Sequence, residues 1–194
     1  RELRELPAWA RGLRTVQWRG SDPNGDPLLY RVDGAPSTEG PWTLVADDLD
    51  QSAFTWDTQA LADGRYRLRV TASDLPGNAV GEEREDFTVS PPFQIDNTPP
   101  TLSEVTATGA AGGIRVNGSA RDGSSPLTRI EVAVDDGEWR VITPEGGFAD
   151  DLDLAFRATV NDVEPGEHSV GVRAIDRAGN ATTRAIRVRV PAGR

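Results

Sequence analysis

Apolar and polar residues alternate along most of this chain. From 66 to 72 the even positions are apolar and the odd positions between them are arginine or threonine, and residues 167–174 and 185–190 alternate in a similar way. A period of two residues is typical of a β-strand that buries one face. No comparable helical pattern stands out, and only the first 11 residues are ambiguous, so we expect an all-β protein.

Clusters of glycine, proline and aspartate interrupt this alternation about every 8–12 residues, which predicts turns between short strands. The predicted strands are 12–19, 28–34, 42–46, 52–57, 64–73 and 84–90 in the first half, and 103–109, 113–120, 128–134, 139–143, 153–160, 167–175 and 182–190 in the second. Short strands at this spacing favour antiparallel β-sandwiches over a barrel or a propeller.

One motif occurs twice. Residues 72–79 read ASDLPGNA, and residues 174–181 read AIDRAGNA, 102 positions later; Gly64 and Gly166 keep the same offset. A repeat of about one hundred residues matches one β-sandwich domain and exceeds the roughly 20–50 residues of solenoid repeats. We therefore expect two tandem sandwiches, residues 1–97 and 98–194. Prolines should keep a linker at about 91–100 extended and stiff.

The chain carries 31 acidic and 21 basic residues, a formal charge of -10, and no cysteine. Such acidity repels phosphate backbones, so we expect no nucleic-acid partner. Without cysteine, no disulfide framework or thiolate zinc site can form. No apolar run approaches the roughly 18 residues of a membrane span, and no signal peptide is visible. Arg1 stands where an initiating methionine would, which suggests a piece of a longer protein.

The first half carries motifs of a known family. Residues 16–18 (VQW) and 21–32 (SDPNGDPLLYRV) resemble strands B and C of a bacterial fibronectin type III-like domain, and residues 54–58 and 61–66 resemble strands E and F. Residues 85–100, which end in FQIDNTPP, resemble the junction at the C-terminal end of large exported bacterial β-propeller proteins. This resemblance implies a spacer, adhesive or docking role, an extracellular or periplasmic location, and no catalytic residues.

The second half departs from that pattern and is better described as a generic immunoglobulin-like sandwich. Gly118 stands where the first half has Trp18, and His168 stands where it has Tyr66. In the first half, Leu61 precedes Tyr66 by five positions, whereas the usual fibronectin corner has six. We therefore expect no standard tyrosine corner.

Asp22, Asn24 and Asp26 are the candidate metal ligands. Oxygen donors at alternating positions, with a glycine for the sharp turn, are how a calcium loop begins. The twelfth position, however, is Asp33 within the next predicted strand, and the same residue types suit any tight turn. The turn is the favoured interpretation and calcium is the alternative. The corresponding loop, residues 122–125, keeps fewer ligands of this kind.

Histidine and tryptophan are the two further residue types with candidate functions. His168, the single histidine, alternates with apolar neighbours, which favours a structural role over that of a general base. Trp42 and Trp139 occupy equivalent positions, which indicates that the fold uses them in packing; exposed rings would instead stack on sugars as ligand contacts. We expect no catalytic residue, and no cofactor unless calcium binds.

Taken together, the residues and the resemblance predict a non-catalytic tandem β-sandwich module that acts as a spacer or interaction scaffold in a larger exported bacterial protein. The expected partners are neighbouring domains of the same polypeptide, such as a β-propeller, and a protein or carbohydrate ligand. The alternative is an accessory module that binds carbohydrate or calcium.

Overall fold

The computed structural model describes residues 11–36, 40–79 and 81–193. The chain divides into two compact units: Gly12–Asp96 is the first unit, and Asn97–Arg194, with which Arg11 is grouped, is the second. Each unit is an antiparallel β-sandwich of the kind that the alternating pattern predicts. In the described part of the chain, no helix is both long enough and apolar enough to cross a membrane.

The first unit consists of two antiparallel sheets. Its larger sheet has the order β3-β2-β5-β6, and β7 also pairs with β5; β1 and β4 pair in the smaller sheet. The strands are β1 (Leu13–Gln17), β2 (Leu29–Ala35), β3 (Thr43–Leu49), β4 (Ala53–Asp57), β5 (Gly64–Ser73), β6 (Glu85–Val89) and β7 (Phe93–Ile95).

The core of the first unit lies between the inward faces of these sheets. Tyr30 and Val32 of β2 and Leu68 and Val70 of β5 form its buried centre, as the period-two pattern predicts. Trp18 packs its ring edge against Tyr30, with 5.3 Å between ring centroids. Burial of these apolar faces is the main stabilising contribution to the sandwich.

Strand β7 falls within the segment that the sequence assigns to the linker. Phe93–Ile95 pairs with residues 64–66 of β5, while β6 pairs with residues 69–73 further along the same strand. Pro91 and Pro92 lie between β6 and β7 and have no N–H to donate, so the ladder is interrupted there. Half of the predicted linker is therefore part of the first sandwich.

The second unit also has two antiparallel sheets, with strand orders β11-β10-β13-β14 and β12-β9-β8. Its strands are β8 (Thr101–Ala110), β9 (Gly113–Arg121), β10 (Leu127–Val134), β11 (Arg140–Ile142), β12 (Asp153–Asn161), β13 (Gly166–Asp176) and β14 (Ala181–Val190). The core is larger than that of the first unit and draws buried residues from every one of these strands.

Gly118 explains how this core accommodates a phenylalanine. A methyl group on Gly118 would lie 2.7 Å from Cζ of Phe156, which is fully buried, and 3.2 Å from the backbone of Val105. The bulk that Trp18 supplies in the first unit is thus excluded here, because the ring of Phe156 takes the space above β9. The exchange of tryptophan for glycine follows from packing.

We expect Gly118→Ala to destabilise the second unit by about 1–3 kcal/mol, because the added methyl group overpacks the core against Phe156. The measurement is urea denaturation followed by NMR signals of β9 and β12. Gly123→Ala is the matched control, since a methyl group there meets no atom within 4 Å. Equal denaturation midpoints for the two variants would contradict this account of the core.

Candidate functional site

The loop between β1 and β2 holds the predicted metal ligands. Oδ1 of Asp22 accepts hydrogen bonds from the backbone N–H of Asn24 at 2.7 Å and of Asp26 at 3.1 Å, and Gly25 closes a turn onto the carbonyl of Asp22. Asn24 itself is exposed. Asp22 therefore organises a tight turn, and a metal ion at these residues stays a prediction.

A third carboxylate reaches this loop from the repeated motif. One carboxylate oxygen from each of Asp22, Asp26 and Asp74 lies within 4.8 Å of the other two. Asp74 also shapes its own hairpin: its carbonyl accepts from Gly77, and its Oδ1 accepts from the N–H of Arg84 at 2.7 Å. The sequence did not predict the approach of Asp74 to Asp22, because it depends on how β2 and β5 pair.

The second unit has an equivalent and more deeply buried pair. Asp122 follows β9 and is 4% exposed, and Asp176 ends β13 and is 2% exposed. Their carboxylate oxygens lie within 4.8 Å of each other. Burial raises the pKa of Asp176 above 3.8, and the negative charge of Asp122 adds to this effect, while hydrogen bonds from Asn180 and Gly179 lower it. The sequence did not predict a metal site at this loop, because residues 122–125 alone contain few oxygen ligands and Asp176 is distant along the chain.

A buried ion pair lies on the outer face of the large sheet of the first unit. Asp33 of β2 is 1% exposed and accepts from Arg31 and Arg69, each at 3.0 Å. Arg69 lies directly opposite Asp33 on β5, and its guanidinium stands 5.0 Å from the ring centre of Trp42. Two arginines thus compensate a carboxylate that has lost most of its water, and Trp42 packs against one of these arginines.

The second unit repeats this arrangement with Glu131. Nε of Arg173 donates to Glu131 at 2.7 Å, and Arg129 lies 3.7 Å from the same carboxylate. The guanidinium of Arg173 stands 4.4 Å from the ring centre of Trp139, whose edge lies over Gly171. Trp139 is 37% exposed, and Trp42 is half-buried. Both predicted ligand-contact tryptophans therefore lie against an arginine on the outer face of a sheet.

His168 takes the place of a corner tyrosine. In the first unit the Tyr66 hydroxyl donates to the carbonyl of Ala62 at 3.0 Å, so the corner hydrogen bond is present despite the shortened spacing from Leu61. In the second unit Nε2 of His168 lies 2.8 Å from the carbonyl of Glu164, four residues earlier as in the tyrosine case. The hydrogen bond to Glu164 therefore supports the structural role that the sequence predicts for His168.

The second ring nitrogen of His168 has an acidic partner. Nδ1 lies 2.8 Å from Oδ2 of Asp135, and the other Asp135 oxygen accepts from the N–H of Ser169. A ring that faces a carbonyl and a carboxylate favours the imidazolium, in which both nitrogens donate. The hydrogen bond to Asp135 and then that to Glu164 raise the pKa of His168, while the bonds from Ser169 and His168 lower the pKa of Asp135.

Comparison with known proteins adds similarity of fold only. No protein-family model matches the chain, and no curated protein matches it in sequence. It is similar to chicken CNTN1 FN1-FN3 domains (13% identity, TM-score 0.47, 94% of this chain and 64% of that one), so it spans less than two thirds of that solved chain. It is similar to the fibronectin(III)-like modules of Clostridium thermocellum CbhA (18% identity, TM-score 0.45, 94% and 87%). It is also similar to dimeric latent PorU from Porphyromonas gingivalis (16% identity, TM-score 0.42, 86% and 20%).

The ordinary pKa of a histidine imidazole is 6.5, and we expect His168 to titrate above this pH in the folded protein. Because its folded pKa is raised, the stability that it contributes is present below 6.5 and is lost as the pH rises through the folded pKa. The contribution of Asp135, whose folded pKa is lowered, is present above 3.8 and is lost as the pH falls through that lowered pKa. NMR titration of the single histidine measures this, and Asp135→Asn should return its pKa towards 6.5. A wild-type value at or below 6.5 would refute the corner geometry.

Glu131→Gln should destabilise the second unit by about 1–3 kcal/mol, because Arg173 and Arg129 lose their carboxylate at a site with little water. The measurement is the hydrogen-exchange protection of amides in β10 and β13. Glu138→Gln is the control, since Glu138 is exposed on the loop before β11. If both variants keep wild-type protection, the buried ion pair contributes nothing to stability.

Proposed function

We propose that this chain is a non-catalytic tandem β-sandwich module that acts as a spacer or interaction scaffold in a larger exported bacterial protein. The observation that carries this proposal is how its polar side chains are used. In each unit the buried carboxylate on the outer face of the sheet is bound by arginines of the same unit. Groups of the kind that enzymes use for chemistry are here engaged in holding strands together.

His168 illustrates the same point. A general base must reach a reacting proton with a free ring nitrogen. Both nitrogens of this ring are within hydrogen-bond distance of acceptors, the carbonyl of Glu164 and the carboxylate of Asp135. The histidine therefore closes a corner of the sandwich, and this arrangement supports a structural function for the residue most often found in catalysis.

The first and last strands of the second unit support a role in holding neighbours at a distance. β8 and β14 lie against each other so closely that a methyl group on Gly109 would stand 2.0 Å from the carbonyl oxygen of Arg189. Neighbouring domains attached at the two ends of this unit would pull on these two strands. Close backbone contact between them is what such a spacer needs, because load would act across that contact.

Single-molecule force spectroscopy on the full chain tests the spacer proposal. We expect two separate unfolding events, which release roughly 300 Å and 350 Å of chain at about 3.6 Å per residue. Gly109→Ala should lower the unfolding force of the second unit alone, and the first unit then serves as the internal control. If either wild-type unit extends without a distinct unfolding event, it does not resist load and the proposal is wrong.

Carbohydrate binding at Trp139 is the alternative that one observation favours. Trp139 is 37% exposed and the Arg173 guanidinium lies over its ring, so an aromatic side chain and a hydrogen-bond donor occur together. A glycan array with the wild-type chain and with Trp139→Ala separates the two functions. Binding that this variant loses would support carbohydrate recognition, whereas the spacer proposal expects no bound glycan in either case.

A further inference from the structure

Two buried aspartates meet at one end of the second unit. Asp122 lies in the loop from β9 to β10, and Asp176 lies at the start of the turn from β13 to β14. Their carboxylate oxygens come within 4.8 Å of each other. Two negative charges at this distance, both removed from water, repel each other strongly unless a positive charge or a proton lies with them.

One oxygen of this pair has no partner. Oδ1 of Asp122 accepts from the N–H groups of Ser124 and Ser125, each at 2.8 Å. Oδ2 of the same carboxylate is fully buried and has no hydrogen-bond partner among the residues that the structure describes. A buried carboxylate oxygen without a donor is costly and uncommon in folded proteins, so this atom is suited to a ligand that supplies positive charge.

A shared proton does not fit the hydrogen bonds of Asp176. Its Oδ1 accepts from the backbone N–H of Asn180, and its Oδ2 accepts from the side-chain amide of Asn180, both at 2.8 Å. Both oxygens are therefore acceptors, as in the ionised form. The Asp176 carboxylate therefore has no proton to donate to Asp122, so a proton on this pair would have to be carried by Oδ2 of Asp122 and would neutralise that residue alone. A cation bound by both carboxylates compensates both charges.

We propose that the second unit binds a calcium ion through Asp122 and Asp176. Calcium takes six to eight oxygen ligands at flexible angles, whereas magnesium requires a nearly regular octahedron. The two carboxylates come from separate parts of the chain and supply oxygen ligands only, which suits a hard cation. Carbonyl groups and water would complete the coordination shell. This site is independent of the spacer function proposed above.

Calcium added to the EDTA-treated full chain tests the proposal. We expect the melting temperature of the second unit to rise with calcium concentration, by about 5 °C or more near saturation, because the ion binds only the folded state. Amide NMR signals of residues 122–127 and 176–181 should shift in the same titration. This mapping uses the wild-type protein and needs no variant to fold.

Asp122→Asn separates a metal site from a purely structural turn. The variant removes the charge, so it should abolish the calcium shift. It keeps an oxygen that accepts from Ser124 and Ser125, so in EDTA it should be no less stable than the wild type. Asp22→Asn, at the equivalent position in the first unit, is the matched control and should keep the shift of residues 122–127.

Three results would overturn the proposal. The first is a wild-type chain that millimolar calcium neither stabilises nor shifts at residues 122–127. The second is a calcium shift that survives Asp122→Asn but disappears in Asp22→Asn, which would place the ion in the first unit. The third is stabilisation by magnesium alone, since a pair of carboxylates from two loops suits the larger ion.

Discussion

The fold of each unit depends on a central strand that buries one face in the apolar core and carries charged side chains on the opposite face. β5 and β13 have partners along both edges, and their alternate residues form the buried centre of each core. Arg69 of β5 and Arg173 of β13 each lie between two such buried residues of their own strand, and they therefore point to the outer face of the sheet. Each arginine meets a carboxylate on the neighbouring strand, Asp33 or Glu131, and an indole ring covers it. Desolvation of these carboxylates makes the arginines necessary.

The same constraint acts differently at the loop ends of the two sandwiches. In the first unit, Asp22 and Asp26 are only half-buried, and backbone N–H groups bind Asp22 in a tight turn. In the second unit, Asp122 and Asp176 are almost completely buried, and one oxygen has no donor. The first group can rely on water for its charge, whereas the second cannot. Related loops therefore have different requirements for a cation, and burial explains the difference.

Much of the fold was predictable from the sequence. The alternation placed each predicted strand close to the observed one; for example, 64–73 was predicted and β5 is Gly64–Ser73. Strand β7 was missed because it is three residues long and follows two prolines, so nothing local distinguishes it from a linker. The corner bond of Tyr66 was also missed, because a motif spacing does not reveal that the hydroxyl still reaches Ala62.

The candidate sites were less predictable, and particular residues show why. Asp22, Asn24 and Asp26 stand out as neighbours in sequence, but Asp74 and Asp176 lie about fifty residues from the aspartates that they approach. Trp42 and Trp139 were identified as equivalent, yet the arginines beside them could be assigned only once the register of β5 and β13 was known.

The sequence by itself determined the all-β class, the repeated motif and the faces that β5, β13 and β14 bury, because these follow from local periodicity and from a repeat within one chain. Only the tertiary structure decided which aspartates converge, which carboxylates lose their water, and that an oxygen of Asp122 is left without a donor. Those properties depend on strand register and on distances between loops remote in sequence. No local pattern encodes them.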